Sequence, residues 1–266
     1  MKISANILIR NECNQIDGLI KNLIEADVDE ILFLDGGSSD GSYERLMQYE
    51  QENCRIKVLR WPQPKNSEYK LAFKETVRRN LLMDASKGDY ILYIDADERI
   101  DPCFKQKLTG NADIYSVVIH QFWNKYIRVN MLNDSVWSLF KYRIIKNNGK
   151  FKFISFDKNG LHNHISKHGI RLYNEKSQNK FKAFLAKILN TINNVRVKNT
   201  CIKLYHLHYY NILTGQKIND LRVNDLKRQE IIVDNINDGM NYDYNEDNVI
   251  CLIKNDTIIK EIEKYI

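Results

Sequence analysis

Apolar runs and helix-spaced apolar residues alternate along the first hundred residues. Four apolar runs predict buried strands: 3–9, 30–35, 56–59 and 89–94. Between the first two runs, Ile16, Leu19, Ile20 and Leu23 recur at the spacing of one helix face. Strands that alternate with helices pair in parallel and carry helices on both faces, so this part predicts a largely parallel sheet.

The alternation of predicted strands and helices ends after Asp101-Pro102. Runs 114–122 and 136–145 predict further strands, a helix-spaced apolar face begins at Phe181, and the residues beyond Asn211 favour helix weakly. We therefore expect an α/β fold with a mixed, mainly parallel central sheet flanked by helices, followed by a C-terminal helical extension.

Composition is that of an ordinary globular protein, with 43% hydrophobic and 28% charged residues in 266. No run approaches the roughly 18 apolar residues of a membrane span, which predicts a soluble or peripheral protein. Five scattered cysteines without a CxxC pair favour reduced thiols and a cytoplasmic location. The formal charge of +6 favours an anionic partner, either a nucleotide diphosphate, a lipid headgroup or nucleic acid.

Polar residues follow three of the predicted strands. Asp95-Ala96-Asp97-Glu98 comes after the fourth run, Asp35 ends the second, and Asn11-Glu12 follow the first. The carboxyl ends of parallel strands meet at one edge, where ligands of open α/β sheets bind. Asp95 and Asp97 point to the same side of an extended segment, so both carboxylates are candidate ligands of a divalent cation. The alternative is a solvated acidic turn that caps a following helix.

The loop after Asp35 is rich in glycine. Gly36 and Gly37 permit close approach of the backbone to a ligand, and Ser38 and Asp40 offer hydrogen bonds. An ordinary strand-to-helix turn capped by Asp40 is the competing interpretation.

Four motifs occur in order: Arg10-Asn11-Glu12, the segment Asp35 to Gly41, Arg79-Asn80, and Asp95-Ala96-Asp97-Glu98. Together they resemble the inverting GT-A glycosyltransferases of the family 2 type, which build bacterial polysaccharides and related glycans. The resemblance implies a nucleotide-sugar-binding half over residues 1–110, an acceptor-binding half over 111–210, and a helical extension over 211–266.

The same resemblance implies roles for individual residues. The stretch from Arg10 to Glu12 would line the nucleotide, and Asp35 with Gly36 and Ser38 would bind the base or ribose. Arg79 would contact the nucleotide or its phosphates. Asp95-Ala96 would serve the ribose, and Asp95 and Asp97 would hold Mn²⁺ or Mg²⁺ with a nucleotide-sugar donor, a UDP-sugar being preferred. Family members often have two consecutive acids where this chain has Asp35-Gly36, which leaves base selectivity open.

The acceptor side departs from the family pattern, because Asn163 stands where a glutamate is expected. An amide cannot take the acceptor's proton, so the candidates for the general base are Asp157, His162 and His164. We prefer Asp157, since inverting members use a carboxylate.

A late histidine commonly completes the metal site in this fold, and His206 or His208 is the candidate here. Both face one way in a predicted strand, so structural histidines in a half-buried strand are the alternative.

Two helical segments have competing interpretations. Arg78 is expected on the exposed face of its helix, beside Arg79. Residues 181–195 combine an apolar face with Lys180, Lys182 and Lys187, which would suit peripheral contact with an anionic membrane at its inner face. Packing of this face against the protein's own sheet is the preferred interpretation.

The function predicted is metal-dependent, inverting sugar transfer to a glycan or lipid-linked acceptor. One alternative keeps the chemistry and changes the acceptor to a protein, peptide or nucleic acid, although no segment resembles a nucleic-acid-binding module. A second is an inactive nucleotide-sugar-binding scaffold. A dehydrogenase is disfavoured because no GxGxxG follows the first strand.

Overall fold

The computed structural model describes residues 1–62, 71–123, 126–130, 140–155, 163–172, 180–209, 241–244, 248–253 and 256–266. The helices are α1 Cys13–Glu25, α2 Ser42–Glu52, α3 Leu71–Ala85, α4 Phe104–Lys107, α5 Lys180–Ile192 and α6 Asp256–Glu263. The strands are β1 Ile3–Ile9, β2 Glu30–Asp35, β3 Ile56–Arg60, β4 Tyr90–Tyr93, β5 Glu98–Ile100, β6 Ile114–Trp123, β7 Tyr126–Asn130, β8 Phe140–Lys146, β9 Phe151–Ser155, β10 Asn163–Lys167, β11 Ile170–Arg171, β12 Val197–Tyr209, β13 Asn241–Tyr244 and β14 Asn248–Ile253.

The first four strands form the parallel part of the sheet. Strand β1 pairs in parallel with both β2 and β4, and β2 pairs in parallel with β3. The register aligns Ile9 with Asp35 and Asp35 with Arg60, so the carboxyl ends of three strands meet at one edge. The strand-and-helix alternation of the sequence predicted this arrangement.

Antiparallel pairing extends the sheet beyond β4. Strand β4 pairs with β8, β8 with β6, and β6 with β7, after which β14 and β13 complete that side. Strand β12 lies parallel to β6 and antiparallel to β5. The result is an eleven-stranded mixed sheet, which confirms the predicted α/β class.

Helix α1 covers one face of the parallel strands, and its predicted apolar face is buried in the main core. A separate three-stranded sheet, β9 to β11, packs through Phe153 and Ile165 against Met83 of α3 and Tyr93 of β4. This second core lies beside the end of β4, next to the candidate metal-binding turn.

The C-terminal prediction needs a correction. Residues 241–244 and 248–253 are strands rather than helix, and β14 pairs with β7 at the edge of the central sheet. Among the described residues beyond 211, α6 is the helical element that agrees with the expectation. Residues 245–248, at the junction of the two strands, are rich in asparagine and aspartate, a turn signal that the helical interpretation of this segment did not use.

Within the described residues, no helix is long and apolar enough to cross a membrane.

Candidate functional site

The loops that follow β1 and β2 are joined by hydrogen bonds. The backbone N–H of Asn11 donates to Ser38 Oγ at 3.0 Å, and Asn11 Oδ1 accepts the N–H of Ser39 at 2.8 Å. Glu12 donates its N–H to Ser42 Oγ at 3.0 Å. Asn11 has a φ of 56°, a left-handed conformation that asparagine tolerates better than most residues. The two loops therefore form one rim at the carboxyl edge of the sheet.

Asp35 organises this rim from beneath. Its side chain is fully buried, and it accepts the N–H groups of Gly37 at 2.9 Å and Ser38 at 3.1 Å. The backbone N–H of Gly36 donates to the carbonyl of Ile9, so the hydrogen bonding between β1 and β2 continues to Gly36. Contact between Asp35 and a base or ribose, implied by the resemblance, stays a prediction, and in this conformation the carboxylate is engaged by the N–H groups of Gly37 and Ser38. The carboxylate lies below the loop that a nucleotide would touch.

Arginine side chains gather near Asp35. Arg60 Nε lies 3.4 Å from Asp35 Oδ2, and its guanidinium stacks over the Tyr43 ring. Arg78 is buried, which contradicts its predicted exposure, and it donates to the carbonyl of Trp61 at 2.7 Å. Burial, followed by the charge of nearby Arg10, lowers the pKa of Arg78. This concentration of cations suits an anionic ligand.

Asp95 lies between two arginines at the end of β4. Arg79 Nη2 is 3.0 Å from Asp95 Oδ1, and Arg143 Nη1 is 3.6 Å from Asp95 Oδ2. Glu75, one turn earlier in α3, forms an ion pair with Arg79, in which Arg79 Nε lies 2.8 Å from Glu75 Oε1. Burial opposes ionisation of Asp95, but the two arginines outweigh it and lower its pKa. Asp95 is therefore an ionised acceptor with a side chain that is 38% exposed.

Glu98 and Arg143 form a buried ion pair beneath Asp95. Glu98 is 2% exposed, accepts the N–H of Asp95 at 2.9 Å, and contacts Arg143. Burial raises the pKa of Glu98 despite this partner. The Arg143 guanidinium also stacks over Tyr93 at 4.8 Å. Arg143 was missed by sequence reasoning, because an arginine within strand β8 carries no local sign of burial.

Asp97 and His206 are brought together from distant parts of the chain. His206 Nε2 lies 3.5 Å from Asp97 Oδ2. The pairing of β12 with β5 fixes this approach, since His206 is opposite Glu98 and the N–H of Leu207 donates to the carbonyl of Asp97 at 2.7 Å. Burial opposes protonation of His206, but Asp97 outweighs it and raises the pKa of the imidazole. His208 lies on the same strand, and its side chain is outside what the structure describes.

The donor set fits a divalent cation that arrives with a diphosphate. Among the described residues, no group of three or more metal-ligating side chains gathers into a complete cage. Magnesium-type sites need only one or two protein ligands when phosphate oxygens supply the others. Asp97 and His206 meet that requirement, whereas the carboxylate of Asp95 is already engaged by two arginines.

Arg99 ties the turn that carries these acids to the C-terminal segment. Its buried guanidinium donates to the carbonyls of Ala96 at 2.8 Å, Glu98 at 2.9 Å and Tyr265 at 3.2 Å, and also to Gln15. Gly18 of α1 leaves space for this contact, because a Cβ there would lie 1.8 Å from the carbonyl oxygen of Tyr265. We call this arrangement the Arg99 latch.

A family comparison agrees with the motifs around this edge. Residues 4–180 match the model of the family described as glycosyl transferase family 2. The chain belongs to that family. Its fold is accordingly the GT-A arrangement that the motifs implied. The family match begins at the second residue of β1, extends through β11 and ends where α5 begins.

Individual relatives of this family 2 chain are distant. It is 24% identical over 139 residues to a cholesterol galactosyltransferase of Borreliella burgdorferi, which covers 51% of the chain and 36% of that protein. The chain thus spans about a third of the length of this curated relative. S. aureus TarS 1-349 is 14% identical with a TM-score of 0.44, covering 84% of the chain and 68% of the TarS 1-349 chain.

Two further structures align over 46% of the family 2 chain. Glucosyl-3-phosphoglycerate synthase from Mycobacterium tuberculosis, in complex with Mn²⁺ and UDP, is 23% identical with a TM-score of 0.32 over 44% of its length. The mannosyltransferase PcManGT from Pyrobaculum calidifontis, in complex with GDP-Man and Mn²⁺, is 14% identical with a TM-score of 0.37 over 36% of its length.

The candidate bases of this family 2 chain are less well placed. Asp157 and His162 lie outside the described residues. His164 is half-buried in β10, where it pairs with Ile154, while the adjacent pair Phe153 and Ile165 faces the core beside Tyr93. Successive strand residues alternate between faces, so His164 points away from that core. The structure does not bring His164 to Asp95.

Proposed function

We propose that this chain transfers a sugar from a nucleotide-sugar donor to a glycan or lipid-linked acceptor, with inversion at the anomeric carbon. The preferred donor is a UDP-sugar, and Mn²⁺ or Mg²⁺ is the cofactor. The observation that carries the proposal is the approach of His206 to Asp97 at the carboxyl edge of the sheet, in a family 2 chain.

The donor's anionic part has matching charges at this edge. Asp97 and His206 would hold the cation, which when bound neutralises charge on the departing diphosphate. Arg10, Arg60 and Arg78 add positive charge at the neighbouring rim. Ionised Asp95, kept charged by Arg79 and Arg143, is a suitable acceptor for the ribose hydroxyls.

Two similar proteins support the donor class. A structure of TarS contains UDP-GlcNAc, and the mycobacterial synthase contains UDP with Mn²⁺. Sugar transfer to a sterol is the activity named for the Borreliella relative. A lipid-linked acceptor for this chain is consistent with that name.

Asp157 remains the proposed general base. It follows β9 by two residues in the sequence, and β9 packs Phe153 against Tyr93 with ring centroids 5.1 Å apart. In the proposed step, Asp157 takes the proton of the acceptor hydroxyl while that oxygen bonds to the anomeric carbon. The bond from this carbon to the diphosphate oxygen breaks on the opposite face, and the nucleoside diphosphate leaves.

A donor panel tests the proposal directly. Thermal unfolding with UDP-, GDP- and other nucleotide-sugars, each with and without Mn²⁺, should show metal-dependent stabilisation by one donor class. Turnover with that donor should then be lost in Asp97→Asn and strongly reduced in His206→Gln. Asp84→Asn serves as the matched control, since Asp84 is 66% exposed and pairs only with Lys152 in the described structure.

These measurements test the metal site, the catalytic activity and the general base separately. Turnover that survives Asp97→Asn and chelation would overturn the metal assignment. Donor binding without turnover in the wild-type chain would favour the scaffold alternative. Asp157→Asn should abolish transfer while donor binding persists, and unchanged transfer would redirect the search for the base to His162.

A further inference from the structure

Helix α5 presents an unusually apolar face to solvent. Among the described residues, ten large hydrophobic side chains are exposed, and five of them lie on this one helix. They are Phe181 at 72%, Phe184 at 62%, Leu185 at 39%, Ile188 at 39% and Ile192 at 72%. Their spacing places them on a single side, which we call the α5 face. Contiguous apolar surface of this kind marks an interaction site.

The opposite side of α5 attaches the helix to the protein. Ala186 and Asn190 are fully buried. At its C-terminal end, Lys167 Nζ donates to the carbonyls of Asn193 and Asn194, both at 2.8 Å. The helix is therefore held with its apolar face outward, and packing against the protein's own sheet, the preferred interpretation from sequence, is wrong.

The sequence segment that contains α5 carries charge of one sign, although Arg196 within it pairs with Asp113 of another segment at 3.7 Å. Residues 176–219 contain no aspartate or glutamate and eight basic residues, more positive charge than the +6 of the whole chain. The basic residues are Lys176, Lys180, Lys182, Lys187, Arg196, Lys198, Lys203 and Lys217. A second copy of the chain would bring two such segments together, and like charges repel. An anionic surface complements this segment instead.

We infer that the α5 face docks on an anionic lipid surface, with Phe181 and Phe184 inserted among the headgroups and the surrounding lysines paired with lipid charge. A helix that has an exposed aromatic and aliphatic face with lysines at its flanks resembles the pattern of interfacial helices. The family match ends at residue 180, so α5 lies outside the part of the chain that family membership describes.

Docking would fix the chain at a bilayer surface without a membrane span. This inference rests on exposure and charge, and it stands or falls independently of the proposed sugar transfer. Vesicle binding needs neither donor nor metal, so failure of one proposal is distinguishable from failure of the other.

The test is sedimentation of the full chain with vesicles. We expect binding to vesicles of phosphatidylcholine mixed with phosphatidylglycerol, and at least about tenfold weaker partitioning to phosphatidylcholine alone or at high salt. The double variant Phe181→Ser, Phe184→Ser should lose binding at least about tenfold, because both rings contribute to insertion. Lys187→Glu should weaken binding to the anionic vesicles specifically.

The matched control is Val77→Ser, which removes an apolar side chain of similar exposure, 52%, from helix α3. Its vesicle binding should equal that of the wild type. Light scattering and thermal unfolding of the Phe181 and Phe184 variant accompany the measurement. An unchanged mass and an unchanged unfolding midpoint, with lost binding, support the inference.

Three outcomes would overturn it. Absence of wild-type binding to anionic vesicles excludes the lipid surface. Conversion of a dimer to a monomer by the variant identifies the α5 face as a contact between copies. A lowered unfolding midpoint without any change in mass shows that another segment of the chain covers the face.

Discussion

The Arg99 latch makes a sharp prediction at Gly18. In a helix interior, replacing glycine by alanine normally stabilises by about 1 kcal/mol. Here a Cβ would lie 1.8 Å from the Tyr265 carbonyl oxygen and 2.7 Å from its carbon, so the C-terminal segment must move. We therefore expect Gly18→Ala to destabilise the protein, although helix propensity alone predicts that alanine stabilises it.

The magnitude follows from what the displaced segment loses. Ile262 and Tyr265 are buried, and each apolar side chain contributes about 1.5–3 kcal/mol when fully buried. The hydrogen bond from charged Arg99 to the Tyr265 carbonyl adds about 1.5–3 kcal/mol. Partial movement retains some of these contacts, so a net loss of about 2–4 kcal/mol is expected, and unfolding should occur about 5–10 °C lower.

Thermal and urea unfolding measure this loss, and a shortened chain provides the control. In residues 1–264 the clashing carbonyl is absent, so Gly18→Ala should there be neutral or stabilising by up to about 1 kcal/mol. An equal loss of stability in both chains would refute the clash as its cause. The affinity for Mn²⁺ with donor should also fall in full-length Gly18→Ala, since Arg99 holds the carbonyls of Ala96 and Glu98 on either side of the proposed ligand Asp97.

Three further changes test the site. Arg143→Met leaves buried Glu98 without its ion pair and should lower the free energy of unfolding in urea by about 3–5 kcal/mol. Adding Glu98→Gln should restore part of that loss, and no restoration would exclude the ion pair as the cause. Ser38→Ala removes the acceptor of the Asn11 N–H, so the free energy of unfolding should fall by about 1 kcal/mol. The KM for donor should rise by a larger factor than kcat falls, and an unchanged KM would contradict the role of this rim in donor binding. His206→Gln should weaken Mn²⁺ binding at least about tenfold in a calorimetric titration with nucleoside diphosphate, and equal affinity would remove His206 from the metal site.

The parallel half of the fold was predictable because its signals are local. Continuous apolar runs predicted β1, β2 and β4. Because these strands pair in parallel, the residues that follow them lie at the same edge of the sheet. The approach of His206 to Asp97 was anticipated only through the family resemblance. No local pattern specifies that β12 pairs with β5.

The errors share a physical origin in non-local contacts. Arg78 has the sequence context of an exposed helical arginine, and its burial depends on Trp61, which comes from another segment. The apolar spacing of α5 defined a face correctly but could not indicate whether protein covers it. Asp35 was identified as important, yet its burial beneath Gly37 and Ser38 became evident only with the loop conformation.

The latch also has a consequence for folding order. Arg99 and Tyr265 are 166 positions apart, so their contact closes a very long loop, and we expect it to form after most of the chain has collapsed. The turn bearing Asp97 would then receive its last support late. A partly folded molecule, or one nicked before α6, would contain every residue of the metal site yet bind metal weakly. Affinity for Mn²⁺ at the proposed metal site would therefore report completed folding, and it would distinguish fully folded molecules from compact, partly folded ones.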